Sequence, residues 1–205
     1  MKKKIITISR SYGSGGRQVA LSLAKDMGIH CYDRELINMA SMKHGVNVAL
    51  LKNADETSRS GMFKRYADSE VSSPSSRDYL SDDNLFKMTK DVIREIADKN
   101  ESAIILGRCA HYILKDRQNV VRVLIYAGEE ETLIQNAVHY DHVSREEAKK
   151  RITRINKERE AYNKYYTGKE WLDISQYDLC LNTSRISLDQ CREIIRDYAD
   201  ILDKE

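Results

Sequence analysis

No apolar run in this chain approaches the ~18 residues of a bilayer-spanning helix, so no transmembrane segment is expected. Excess charge of either sign is also missing. Lys and Arg number 34 against 32 Asp and Glu, a net +2 that gives no support to a nucleic-acid coat and leaves any basic function to local clustering. The four cysteines, Cys31, Cys109, Cys180 and Cys191, have no C-x-x-C spacing. Cys31, Cys109 and Cys180 sit in or beside apolar strand-like runs, where buried, reduced thiols are expected rather than a disulfide or a metal site. The basic start Met1-Lys2-Lys3-Lys4 is followed by an apolar stretch too short for a secretion signal, so a cytoplasmic protein is expected. Proline is nearly absent. Its one instance, Pro74, falls in a serine-rich, weakly periodic stretch, residues 57–81, which reads as a mobile connection or lid between helices, or as plain disorder. Internal repeats are lacking.

What is present fits one domain. A chain of 205 residues, 41% hydrophobic and 32% charged, can bury a real core. Its start is the richest stretch: the β-branched run at residues 5–8, then Arg10-Ser11-Tyr12-Gly13-Ser14-Gly15-Gly16-Arg17-Gln18, then Val19, Ala20, Leu23, Ala24 and Met27 at helical spacing, with Gly28 placed to stop the helix. A strand, a glycine loop and a helix N-terminus make an anion site, because backbone N–H groups converge there and the helix dipole adds partial positive charge. Such turns also serve only to let helix and strand pack closely. The loop lacks the lysine of G-x-x-x-x-G-K-[ST]: Gly16 and Arg17 follow Gly15. Arg17, in the first helical turn, opposes the dipole unless an anion sits beside it.

Further strand-like runs at residues 30–33, 103–106, 120–127 and 177–181 alternate with helical patterns. That order predicts an α/β fold with a parallel sheet covered on both faces. Leu85, Met88, Val92, Ile93 and Ile96 predict an amphipathic helix before the third strand. Capping-box spacing at Ser144–Glu147 and Ser187–Gln190 predicts two helix starts. Three further candidates lie along this frame. Asp33 ends the second strand, near the glycine loop, and is also placed to cap the next helix. Arg108 leaves the third strand at its carboxyl end, suited to bidentate phosphate binding or to a structural salt bridge. Lys150, Arg154 and Lys157, flanked by Arg151 and Arg159, give a helix more positive charge than Glu158 and Glu160 balance, either as a solvated face or as a lid over polyphosphate. The aromatic residues of 162–171 suit base stacking, core packing or a subunit contact.

Together these segments resemble the cytidylate-kinase-like family within the P-loop nucleoside monophosphate kinases. The resemblance rests on Ile6 through Arg17, Tyr32-Asp33-Arg34-Glu35-Leu36-Ile37, Leu106-Gly107-Arg108-Cys109-Ala110-His111-Tyr112-Ile113-Leu114, residues 165–171 and residues 177–185. It implies a three-layer fold with a five-stranded parallel sheet, a helical acceptor-binding insert at 34–100 and a lid at 144–170, within a single domain, 1–205. It also implies ATP and Mg²⁺ as cofactors, with no metal held by the protein alone. Gly13, Ser14 and Gly15 match the donor-phosphate loop, in which Gly16 replaces the lysine, Arg17 the residue after it and Gln18 the threonine; Ser11 to Gln18 are expected to wrap the donor phosphates, and Thr183 falls at the loop near the donor base. Asp33 matches the residue beside the acceptor nucleoside. Arg108 matches the arginine of a Gly-Arg-Asp motif, with Cys109 in place of the aspartate.

The function expected from this resemblance is phosphoryl transfer from ATP to a nucleoside monophosphate, CMP first. Arg17 stands in for the missing lysine, Arg108 fixes the acceptor phosphate, and Arg151, Arg154, Lys157 and Arg159 close over the transferring group. The alternatives are a nucleotide- or phosphate-binding module without turnover, favoured by Gly16 and Gln18, and a kinase for another small metabolite. Partners are small-molecule nucleotides, with neither nucleic acid nor membrane, and the oligomeric state is open.

Overall fold

Strand β1 (Ile5–Arg10) runs through the middle of the molecule because its first four residues are β-branched and three of them are apolar; Ile5, Ile6 and Ile8 are at most 1% exposed. The computed structural model describes residues 3–46 and 82–202, and the serine-rich stretch 57–81 lies outside them. After β1 come α1 (Gly16–Met27), β2 (His30–Tyr32), α2 (Glu35–His44), α3 (Asp82–Asp98), β3 (Ala103–Leu106), α4 (Ala110–Ile113) and β4 (Val120–Tyr126). They are followed by α5 (Glu130–Asp141), α6 (Arg145–Thr167), a 3₁₀ turn (Ile174–Gln176), β5 (Leu179–Asn182) and α7 (Leu188–Ile201). The sheet order is β2-β3-β1-β4-β5 and every pairing is parallel. The expected α/β, five-stranded P-loop kinase-like fold is the fold observed.

Alternation along the strands builds two cores. Ile5, Ala103, Ile105 and Val120 face Leu36, Ala40, Val92, Ile93 and Ala110, so α2, α3 and α4 cover one side. Ile6, Ile8, Ile104, Leu106, Val123 and Ile125 face Val19, Leu23, Cys191 and Ile195, so α1 and α7 cover the other. The helices that follow β1 and β3 therefore leave their neighbouring strands toward opposite faces, and a crevice opens between the carboxyl ends of those two strands. A third, smaller core of Leu133, Ile134, Ala137, Ala148 and Ile152 joins α5 to α6 and takes in Tyr12 of the loop.

Local signals behave unequally. Gly28 ends α1 at φ 64, as expected. Leu85, Met88, Val92, Ile93 and Ile96 are all buried. Ser187 forms a full capping box with Gln190, whereas Ser144 forms only the forward half. The reason is competition: Glu147 accepts instead from Arg151 Nε at 2.7 Å. Asp33 does not cap α2 with its side chain, since Arg34 occupies the cap position in helical conformation and the Asp33 carboxylate is held by Arg17. Strand β5 starts at Leu179, not 177, because Asp178 turns its carboxylate onto the Arg122 N–H and guanidinium at 2.5–3.1 Å. None of the four cysteines forms a disulfide, with Cys109 and Cys191 buried and Cys31 and Cys180 half-buried.

Candidate active site

The glycine loop wraps the carboxyl end of β1. Ser14 is fully buried and holds the turn from inside: its hydroxyl donates to the Ser11 carbonyl at 2.8 Å and accepts from Gly16 N–H at 3.3 Å. Gly13 has φ 81, and a Cβ there would lie 2.4 Å from the Leu133 carbonyl oxygen, so no other residue fits. Asn136 of α5 donates to the Gly13 carbonyl at 2.9 Å. Among the described residues, the N–H groups of Gly13, Gly15 and Arg17 take no backbone carbonyl, so they stay available at the start of α1.

Above the loop lies a cavity of about 390 Å³ lined by Arg10, Arg17, Arg34, Arg151 and Arg159 against Asp33 and Asp141, with Ser11, Gly13, Gly15, Gly16 and Gln18 at its floor. Arginine outnumbers carboxylate, and the net positive field suits a polyphosphate. Helix α6 forms the roof and is tied to the loop. Asn156 Oδ1 accepts from Tyr12 N–H at 2.7 Å, and Arg159 donates to the Arg10 carbonyl at 3.0 Å. The Tyr12 hydroxyl is buried between Asp141 and Arg151 without a well-formed hydrogen bond to either, and burial first, then the Asp141 charge, pushes its pKa up.

Beside this cavity is a narrow cleft of about 30 Å³ between Ser9, Gly107, Arg108, Cys109, His111, Asn163 and Trp171, with Arg10 and Arg159 shared between the two spaces. Arg108 is buried and has φ 57, a left-handed backbone that marks strain for a non-glycine residue. In the same cleft His111 is 3% exposed, with Nδ1 3.2 Å from the Ser9 hydroxyl. Burial pushes its pKa down to about 4, so the imidazole is neutral. Burial, with Asp33 and Glu35 nearby, pushes the Cys31 thiol up to about 11, which keeps it from acting as a thiolate.

The structure brings together part of the expected site. Ser11, Gly13, Gly15, Gly16, Arg17, Gln18, Asp33, Arg151 and Arg159 line the loop cavity, and Arg108 lines the adjoining cleft. Arg17 is not directed at the loop centre; its Nε meets Asp33 Oδ2 at 2.8 Å while half the side chain stays exposed. The helix α6 surface that faces the cavity is Arg151, Ile155 and Arg159. Lys150, Arg154 and Lys157 fall on its exposed side, and Arg154 pairs with Glu158 at 3.2 Å. Thr183 lies outside the cavity lining and donates to the Tyr126 carbonyl at 3.2 Å. The aromatic cluster is packing: Tyr166 stacks on Phe86 at 3.9 Å and Trp171 is buried. Arg10, Asn136, Asp141 and Asn156 escape sequence reasoning. Only Arg10 carries a visible signal, standing where G-x-x-x-x-G-K has its first glycine.

A model of the cytidylate kinase-like family matches residues 5–185. No curated protein matches the sequence. Among solved structures, an uncharacterized protein from Eubacterium ventriosum is similar at 24% identity and TM-score 0.70, covering 97% of this chain and 99% of that one. Shikimate kinase from Acinetobacter baumannii, in complex with shikimate, is similar in fold at 13% identity and TM-score 0.52, covering 99% and 95%. YorR from Bacillus subtilis, in complex with phosphorylated GDP, is similar at 14% identity and TM-score 0.50, covering 98% and 99%.

Proposed function

Because the chain belongs to the cytidylate kinase-like family, we propose that it transfers a phosphoryl group from ATP to a nucleoside monophosphate, with a CMP-type acceptor. The observation that carries this reading is the arginine-walled cavity over a glycine loop whose N–H groups converge on it. Phosphoryl transfer asks for positioning and charge stabilisation more than for covalent chemistry, and a phosphate oxygen is already a nucleophile, so no protein base is required.

In this reading the donor phosphates lie on the N–H groups of Gly13, Gly15 and Arg17, with Ser11 and Gln18 alongside and Thr183 toward the donor base. Arg108 holds the acceptor phosphate and Asp33, steadied by Arg17, faces the acceptor nucleoside. Segment 34–100 is the acceptor-binding insert and 144–170 the lid. Arg151 and Arg159 supply the lid's inward charge, while Lys150, Arg154 and Lys157 add to the long-range field that draws polyphosphate in. The residues fit Mg²⁺ only as an ion brought by the nucleotide. The cavity offers two carboxylates, Asp33 and Asp141, and no cluster of three metal-binding side chains exists among the described residues. Asp33 already holds Arg17, which leaves Asp141, and one carboxylate plus phosphates and water suits Mg²⁺. When bound, the ion neutralises charge on the donor phosphates. A cytoplasmic location, where ATP and nucleoside monophosphates are both at hand, belongs to the same reading.

A phosphate-binding module without turnover is the second reading, favoured by Gly16 at the lysine position. A coupled phosphotransfer assay with ATP, Mg²⁺ and each nucleoside monophosphate separates them. Turnover with CMP above the other acceptors is expected. Tight ATP binding by calorimetry with no turnover on any acceptor would favour the module.

A further inference from the structure

The glycines of the loop are not alike. Gly13 and Gly15 have φ of 81 and 76, which demands glycine, whereas Gly16 has an ordinary helical backbone at the first position of α1. Gly16 is required by a neighbour. A Cβ built on it would lie 2.6 Å from Arg10 Cβ and 3.3 Å from both Arg10 Cγ and Ile125 Cβ. The Arg10 stem thus fills the space through which a side chain at position 16 would leave the helix. In G-x-x-x-x-G-K the first position is glycine and the last is lysine; here the first is arginine and the last is glycine. The two departures are steric counterparts, and a cation remains on the loop after the exchange.

We propose that Arg10 carries the phosphate-holding charge that a loop lysine would carry, reaching the same anion from the opposite side of the loop. Three further observations support this. Arg10 lines both the loop cavity and the adjoining Arg108 cleft, the two spaces that donor and acceptor phosphates would occupy. Its backbone is fixed by pairing with Ile125 of β4 and by the Arg159 hydrogen bond to its carbonyl at 3.0 Å, so the stem leaves in one direction. Arg17, the other candidate, is half exposed and turns its Nε to Asp33 Oδ2 at 2.8 Å. The inference rests on the reading of the cavity as a polyphosphate site, and it replaces Arg17 as the stand-in for the lysine. A guanidinium also holds phosphate through two parallel N–H bonds where an ammonium acts as a point charge.

The test uses Arg10→Met, which keeps the stem packed against Gly16 and removes only the charge, and the double exchange Arg10→Gly with Gly16→Lys. Binding of ATP and of tripolyphosphate is measured by calorimetry, with the melting temperature as a check on folding. Arg10→Met should weaken both ligands at least about tenfold, the size expected for one charged hydrogen bond, at an unchanged melting temperature. The double exchange should bring affinity back to within about threefold of the parent, while Gly16→Lys alone should be destabilised by the Arg10 stem. Parent-like affinity in Arg10→Met overturns the proposal, as does a double exchange that folds but does not bind. If tripolyphosphate binds the parent and ATP does not, the nucleotide reading fails and the Arg10 assignment is decided on tripolyphosphate alone. If neither ligand binds the parent, both fall.

Discussion

Gly13 and Gly28 both sit in the left-handed region, at φ 81 and 64, yet they differ in what surrounds them. A Cβ on Gly28 meets nothing within 4 Å, whereas on Gly13 it would strike the Leu133 carbonyl at 2.4 Å. Gly28→Ala should therefore cost only the backbone strain, about 1–2 kcal/mol, and Gly13→Ala clearly more. Urea unfolding of the two variants measures this, and equal losses would mean that α5 gives way around the loop. His111 makes a second prediction at this scale. Its folded pKa is depressed to about 4, below the ordinary 6.5, so between these values the unfolded chain binds the extra proton. Its contribution is complete above about pH 6.5 and is lost as pH falls toward 4, by up to about 3 kcal/mol. His111→Asn keeps an acceptor for the Ser9 hydroxyl but does not titrate there. The difference in unfolding free energy between parent and variant should shrink from pH 7 to pH 4.5; a constant difference would place the His111 titration outside that window.

Among the elements, α6 is where sequence and structure diverge most instructively. Its cationic character is plain in the sequence, but the Lys150, Arg154 and Lys157 stripe is the exposed one, and the cavity face is Arg151, Ile155 and Arg159. Charge density marks a helix as basic; which stripe turns inward is set by Ala148 and Ile152 packing on α5 and by Asn156 on the Tyr12 N–H, contacts that only the tertiary fold supplies. The same limit applies to the half-formed cap at Ser144, where Arg151 takes Glu147 away. Helix α6 is held over the loop by two hydrogen bonds and a small core, so under the proposed function it is poised to respond to an anion beneath it. Hydrogen exchange across 144–158 should slow when tripolyphosphate is added, and slow less at high ionic strength, where the arginine–phosphate attraction is screened. Exchange already as slow as in β4 without ligand would make α6 part of the rigid core and its basic face ordinary surface.

At the scale of the whole molecule, the fold was legible because apolar strands such as residues 103–106 and 120–126 alternate with helices whose buried faces, Leu85 to Ile96 for instance, keep strict spacing. The anion loop was legible because strand, glycine and helix start are contiguous. What joins distant segments was not: Arg10 opposite Gly16, Asn136 on Gly13, and Ser9 on His111 are pairings created by sheet order. Strands β1 and β3 are neighbours, and their helices leave to opposite faces, so the glycine loop and Arg108 stand side by side across one crevice. Arg108 lines the narrow cleft and not the loop cavity, and under the proposed function it is the residue that holds the acceptor phosphate. Arg108→Met should weaken nucleoside monophosphate binding at least about tenfold and leave ATP binding within about twofold of the parent, as measured by calorimetry on the same preparation. The spared ATP affinity serves as the control for folding, since Arg108 is buried and holds a strained backbone at φ 57. Loss of both ligands at an unchanged melting temperature would mean one shared phosphate site. The crevice would then bind a single anion, and transfer between two nucleotides would have no place in it.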